Sequence, residues 1–482
     1  MNLKPEVLLH YSPKSGIFGD PIPFYWKGEY HLFYQNSPGV FSFNTMRWAH
    51  IVSKDLLHWE LLPDALIPEP ASPDAYGCWT GSVIHWNNSF HIFYTGCAEP
   101  DGGRQTICHA ISKDLISWQK DPQNPIVIPF LPFSTGNYSA WRDPCIIEDK
   151  TGFRMLVTAE LEGKPRAFCG CIAELHSSDL QNWSFDQILY MPMDTSKLEC
   201  PDLFKLDGRW LLLFSNAGVE VRWSENGLDQ WKKTVPFYLD NFRYYAAKTL
   251  LDDKGRRLCF GFISDRETKN DIGPWKWGGI LAFPRQLSLG TGDELCVSAI
   301  EELKGMRKKP LNIEIEDSVY TVGKWQLLRN HIQGLSEDDQ LGLTALVGQH
   351  PESWEVSLQF DLTQSSTAGI LFNCQKDYSS GYSLEINKSQ AELTLSNFFP
   401  LAVSEPSQLQ IFKLPEPIKN MVNVKIIFDH TCIEIYINET LGFSSRVYPS
   451  PSNGNWWGFY SKCGSIDVKN IEAWDLNSDL VF

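Results

Sequence analysis

Through the first three hundred residues, short β-branched and aromatic runs alternate with polar turns. The runs at 30–35, 90–95, 153–158, 210–215 and 258–263 are each bounded by Gly, Asp or Asn, the pattern of strands closed by tight turns. A second signal is superimposed on them. Ser53-Lys54-Asp55-Leu56-Leu57-His58-Trp59 recurs as Ser112-Lys113-Asp114-Leu115-Ile116-Ser117-Trp118 and as Ser177-Ser178-Asp179-Leu180-Gln181-Asn182-Trp183, and more loosely from Ser224 to Trp231. Each copy reads as a polar turn, with Asp for local hydrogen bonds, followed by a Trp that anchors the next strand. Five modules at intervals of roughly 45–65 residues leave room for four short strands each and predict a five-bladed β-propeller. The competing reading is a plain β-sandwich with coincidental turns, and four copies in chain order argue against it.

From 289 to 311 the texture changes. Residues 298–306 predict a short helix, and the basic Arg307-Lys308-Lys309-Pro310 follows. Beyond it, 355–361, 369–373, 382–386, 391–396, 423–428, 432–438 and 456–459 alternate apolar and polar positions between turns, as in an antiparallel β-sandwich. The expected organisation is all-β: a propeller over 1–297, a linker over 298–320 and a sandwich over 321–482. The acidic residues of the second half read as solvated strand faces.

Composition narrows the function. A length of 482 residues implies two or three domains. A formal net charge of −16 argues against nucleic acid, which needs a basic face, and against anionic membrane surfaces. No run is long enough to span a membrane, and the four-residue apolar stretch after Pro5 is too short for a signal peptide. The twelve cysteines scatter from Cys78 to Cys463 without a repeating spacing, which reads as buried thiols in a reducing compartment, hence the cytoplasm. Cys169-Gly170-Cys171 is the one close pair and has no second pair to complete a metal site, so no metal is expected. The 18 Trp, 17 Tyr and 28 Phe suit either core packing or stacking on sugars.

Three acidic residues share a local setting. Asp20 lies in Gly19-Asp20-Pro21-Ile22, Asp143 in Trp141-Arg142-Asp143-Pro144, and Glu199 in Leu198-Glu199-Cys200-Pro201-Asp202. Each is followed within two positions by Pro and then by an apolar run, in a different module. A carboxylate held stiffly at a strand entrance suits nucleophilic or electrostatic catalysis, and it is equally the look of an ordinary Asp-Pro turn. In a propeller the innermost strands converge, so the three can meet at one mouth. A close carboxylate pair hydrolyses a glycosidic bond with retention, and a wider pair with inversion. Arg142 would keep Asp143 ionised, and neighbouring carboxylates would raise Glu199 towards the value a general acid needs.

These blocks, with Arg47 to Trp59, Trp79-Thr80-Gly81-Ser82, Tyr244 to Lys248, Phe283-Pro284-Arg285 and the closing Glu434 to Asn438 and Ser444 to Pro449, resemble glycoside hydrolase family 32, the β-fructofuranosidases, over nearly the whole chain. The resemblance implies a five-bladed propeller followed by a sandwich, and a retaining double displacement without metal or organic cofactor. It makes Asp20 the nucleophile, Glu199 the acid/base and Asp143 the transition-state stabiliser. Arg142, Gln35, Trp48, Trp79 and Thr80 match positions that line the fructosyl pocket. The family usually reads Asn-Asp-Pro-Asn-Gly at the nucleophile; here Gly19 and Ile22 flank Asp20-Pro21, which alters the pocket and shifts the expected substrate from sucrose towards another short fructoside. A fructosyltransferase on the same scaffold, an inverting arabinan- or xylan-type hydrolase and a non-catalytic carbohydrate-binding protein are the alternatives. The expected partner is a small fructoside, and a homodimer is left open.

Overall fold

The computed structural model describes residues 7–476 except 196, 226, 293, 330, 337–341, 398–407, 416, 451–452 and 463. The chain is all-β, a propeller followed by a sandwich. Among the described residues the first part forms five antiparallel sheets, each built from consecutive strands. Their first strands are Pro21–Trp26, Cys78–Trp86, Trp141–Asp149, Glu199–Leu206 and Tyr244–Leu251. Each first strand neighbours the next, and the last neighbours the first, so the five close a ring. Apolar side chains fill the spaces between sheets: Ile22, Phe33 and Trp48 meet Ile92 and Tyr94, Phe93 and Ile107 meet Trp141 and Met155, and Cys145 and Leu156 meet Leu203 and Leu212.

The repeated turn has a definite geometry. Ser112 Oγ accepts from the backbone N–H of Leu115 at 3.0 Å, while Asp114 Oδ1 accepts from Ile116 at 2.9 Å and Ser117 at 2.7 Å. Trp118 Nε1 then donates back to the Leu115 carbonyl at 3.0 Å. Leu56, Leu115 and Leu180 all take positive φ, at 67°, 67° and 63°. That conformation is costly for a leucine, and complete burial of the side chain in each copy offsets the cost. The looser fourth copy differs, with Trp231 Nε1 donating to the Leu189 carbonyl at 3.2 Å; its Asn226 lies outside the described residues.

The sandwich packs two antiparallel sheets around a core that includes Trp354, Val356, Ile370, Phe372, Ile426, Ile435, Trp457 and Phe459. A strand the apolar pattern did not single out, Ile466–Leu476, sits inside one sheet between His331–Leu335 and Ser353–Asp361. Residues Glu301–Met306 form a 3-10 helix, and Arg307–Pro310 pair with Ile466–Leu476. Contacts divide the chain into two compact units, one comprising 11–264 and 277–296, the other 7–10, 265–276 and the chain from 297 onward.

The expectation that the sandwich acids are solvated is corrected by this second unit. Asp429 is fully buried and accepts from the backbone of Leu8, Leu9 and His10, from His10 Nδ1 at 2.8 Å and from Ser353 Oγ at 2.9 Å. Glu434, also fully buried, takes His10 Nε2 at 3.0 Å and the Tyr436 hydroxyl at 3.0 Å. Alternation gave the correct strands, but partners distant in sequence carry these acids inward.

Candidate active site

All three singled-out carboxylates stand at the starts of first strands, where the ring of strands opens on one cavity of about 410 Å³. Asp20, Asp143 and Glu199 line it together with Gln35, Trp79, Arg142, Tyr245 and Trp277, within the usual size range of ligand pockets. Bulges in the strands aim these side chains. Pairing is interrupted between Trp79 and Gly81, between Glu199 and Asp202, and between Tyr245 and Lys248. Asp143 (φ 59°), Cys200 (φ 52°) and Ala246 (φ 53°) lie in the left-handed region. An extra residue in one strand bends it and turns a side chain off the sheet face, and backbone strain of this kind concentrates at functional sites.

Arg142 organises the cluster. It is buried, its Nη1 donates to Gln105 Oε1 at 3.2 Å and its Nη2 to Glu199 Oε1 at 2.6 Å. Its Nε is 3.6 Å from Asp143 Oδ2. The arginine therefore bridges two carboxylates, with the shorter contact to the one 57 residues away. Tyr245 donates its hydroxyl to Glu199 Oε2 at 2.6 Å. The backbone N–H of Asp143 is fixed by Thr95 Oγ1 at 2.8 Å, and that of Cys200 donates to Asp143 Oδ2 at 3.0 Å. Cys200 Sγ approaches Asp20 Oδ2 at 3.8 Å, so one residue touches both aspartates. Asp20 Oδ1 is buried with no hydrogen-bond partner.

Proton affinities follow from this wiring, and they depart from expectation. Burial, then the charges of Asp143 and Glu199, push the Asp20 carboxyl up to about 7. Burial also raises Asp143, against the pull of Arg142. Burial alone would raise Glu199, but Arg142 and the Tyr245 hydroxyl outweigh it and hold that carboxyl below its ordinary value. The raised proton affinity expected of Glu199 is found instead at Asp20, where burial and the charges of Asp143 and Glu199 act, while Arg142 holds Glu199 down.

Of the other expected pocket residues, Gln35 and Trp79 line the cavity. Gln35 Nε2 donates to the Cys78 carbonyl at 3.0 Å, and Trp79 Nε1 to the Phe43 carbonyl at 3.2 Å. Trp48 and Thr80 stand behind the wall. Trp48 is fully buried between the first and second sheets and donates Nε1 to the Trp79 carbonyl at 2.8 Å. Thr80 sits buried at the bulge, its carbonyl accepting from Thr95 Oγ1 at 3.2 Å. Both support the strand that carries Trp79. Sequence reasoning gave no role to Tyr245, Gln105, Cys200 or Trp277. Tyr245 and Cys200 lay inside quoted motifs, and Gly278-Gly279 after Trp277 was an unread sign of close backbone approach. Among the described residues no group of three or more His, Cys, Asp or Glu is placed to hold a metal ion, and the eleven described cysteines are buried and unbridged. Among the described residues no helix is long and apolar enough to cross a membrane.

A propeller whose strand ends gather three carboxylates, a bridging arginine and aromatic walls around a sugar-sized cavity defines a glycoside hydrolase. Comparison with known proteins specifies which. The chain belongs to glycosyl hydrolases family 32, matching its N-terminal domain over residues 10–299 and its C-terminal domain over 325–475. It is 28% identical to the sucrose-6-phosphate hydrolase of Bacillus subtilis, over 97% of this chain and 93% of the relative. It is 25% identical to that of Escherichia coli, over 97% and 94%. In structure it is similar to fructan 1-exohydrolase IIa of Cichorium intybus, with a TM-score of 0.75, 20% identity and 97% coverage of each chain.

Proposed function

We propose that the protein hydrolyses short β-fructofuranosides with retention, through a covalent fructosyl intermediate, in the cytoplasm. The observation that carries this reading is the unpartnered Asp20 Oδ1, on the same cavity as Glu199 and the Arg142–Asp143 pair. In the first step an ionised Asp20 oxygen bonds to the anomeric carbon as the bond to the leaving oxygen breaks, and Glu199 gives that oxygen its proton. In the second, Glu199 takes a proton from water, whose oxygen displaces Asp20 and releases fructose. Asp143 and Arg142 hold sugar hydroxyls and stabilise the positive charge that develops on the ring.

In the free protein the Asp20 carboxyl holds a proton more readily than Glu199 does. Burial and the charges of Asp143 and Glu199 raise the Asp20 carboxyl to about 7, while Arg142 holds Glu199 below its ordinary value. Sugar hydroxyls compete for the guanidinium, and once Nη2 leaves Glu199 the proton passes from Asp20 to Glu199. Binding thereby creates both the nucleophile and the acid, a redistribution within a coupled cluster. Arg166 and Lys197 also line the cavity and offer two cations to a phosphorylated leaving group. The buried thiols support a reducing compartment.

The test is a panel of sucrose, sucrose phosphate, inulobiose, levanbiose, difructose anhydrides and kestose, assayed by released fructose, with NMR of the first-formed anomer. Release of fructose first as the β-anomer is expected. An inverted first product, or no release from any member, would sink the proposal.

A further inference from the structure

Beside Asp20 the cavity wall is an indole that stands where a side chain at position 19 would stand. The Gly19 N–H donates to the Gln35 carbonyl at 2.9 Å, fixing the backbone just ahead of the carboxylate. A Cβ at position 19 would lie 2.1 Å from Trp277 Cη2 and 2.5 Å from Cζ2, closer than carbon atoms approach. The rings of Phe43, Phe41 and Phe262 surround the indole at centroid distances of 5.5, 5.6 and 5.7 Å. Behind it, Gly278 takes a φ of 77°, where a Cβ would meet Ile17 Cδ1 at 2.6 Å, and the Gly279 N–H donates to the Phe18 carbonyl at 2.8 Å. Segments 17–19 and 277–279 therefore run against each other, with glycine on both sides of the contact. In its present seat the indole at 277 excludes a side chain at 19.

We propose that Trp277 is a specificity-determining residue of this cavity: seated on Gly19, it makes the wall next to Asp20 aromatic, and so selects fructosides that present an apolar C–H face there. The inference rests on the fructosidase reading above. The cavity is two-sided. Trp277, Phe43 and Trp79 line it with rings, whereas Arg142, Glu199, Tyr245 and Gln105 line it with hydrogen-bonding groups. The ring wall continues outward, since Phe41 and Phe43 are about two-fifths exposed, at 42% and 40%. An indole gives a sugar a flat surface and contact area without requiring a hydroxyl in one place. A short polar side chain at 19 would require that hydroxyl instead, and would reject substrates in which it is substituted.

The experiment is a double-mutant cycle of Gly19→Asn and Trp277→Ala, read twice, by melting temperature and by kinetics on sucrose, inulobiose and levanbiose, with Trp277→Phe as a milder variant. Gly19→Asn alone should lower the melting temperature and reduce kcat/KM about a hundredfold, because the amide must displace the indole. Trp277→Ala should raise KM about tenfold with kcat changed less than about threefold, and Trp277→Phe should fall between. The double variant should melt higher than Gly19→Asn and regain at least about tenfold in kcat/KM. Coupling in melting temperature without coupling in KM overturns the specificity role, and strictly additive melting temperatures overturn the exclusion itself. If the parent protein releases no fructose from any substrate, the fructosidase reading fails, while the melting cycle still reports on the exclusion.

Discussion

Each unit of this protein buries a cluster of carboxylates, and the two clusters are satisfied in opposite ways. In the sandwich, Asp429 accepts from the backbone of Leu8, Leu9 and His10, from His10 Nδ1 and from Ser353, and Glu434 accepts from the Tyr436 hydroxyl, with His10 between the two acids. Donors hold the Asp429 carboxyl below its ordinary value despite burial, and the acids, with Cys432, hold His10 well above its own. In the propeller, Asp20 has an oxygen without a partner, and its carboxyl rises to about 7. A buried charge that is fully hydrogen-bonded stabilises a fold; one left short of donors costs stability and stays available to a ligand. Burial alone separates nothing. Donor supply separates the sandwich cluster from the one that lines the cavity.

The largest effect that would break this contrast is on turnover. Asp20→Ala or Glu199→Gln should lower kcat by about a thousandfold or more with circular dichroism unchanged. Turnover near that of the parent protein in either variant would remove the catalytic half of the comparison. The structural half is tested by His10→Ala, which strands two buried acids and should cost about 3–5 kcal/mol in denaturant unfolding of the sandwich, while activity per folded molecule holds within about twofold. Because the folded pKa of His10 is raised, its stabilisation is complete below the unfolded value of 6.5 and is lost as pH rises through the higher folded value. The deficit of His10→Ala should accordingly shrink in alkaline buffer.

A smaller effect concerns pH and rate. Burial raises the Asp20 carboxyl to about 7 in the free protein, and the proposed mechanism draws the acid's proton from there, so kcat/KM should fall about tenfold per pH unit on the alkaline side of that value. A plateau extending past pH 9 would contradict that source of the proton. The smallest effect sharpens the contrast from the stability side. Asp20 is ionised in the unfolded chain above 3.8 but keeps its proton in the fold up to about 7, so the fold loses stability as pH rises between those values and does not regain it above. Asp20→Asn removes the penalty and should raise the melting temperature, more at pH 8 than at pH 5. An equal shift at both pH values would show the oxygen to be better satisfied than its geometry indicates.

Local chemistry made much of this molecule legible. Turn residues and β-branched runs mark the second strand of every propeller sheet, since both signals act within a few residues. The Ser-x-Asp-Leu turn is closed by hydrogen bonds inside its own motif. Asp20, Asp143 and Glu199 stood out because proline beside an acid at a strand start is a local arrangement. The seating of Trp48 and Thr80 behind the cavity was less legible, because the wall's inner and outer faces are divided by a bulge at Thr80, and a one-residue insertion reverses which side chains face inward.

The sequence by itself determined the second strand of every propeller sheet, seven of the sandwich strands, the repeat, the two kinds of β domain and the identities of the three acids. Tertiary structure alone decided which acid Arg142 serves, that Trp277 fills the place beside Gly19, and that Asp429 and Glu434 are buried. The physical reason is one of range. Propensities and turns are settled between near neighbours, whereas electrostatic coupling and steric exclusion depend on groups brought together when the ring of strands closes, such as Arg142 with Glu199 and Gly19 with Trp277.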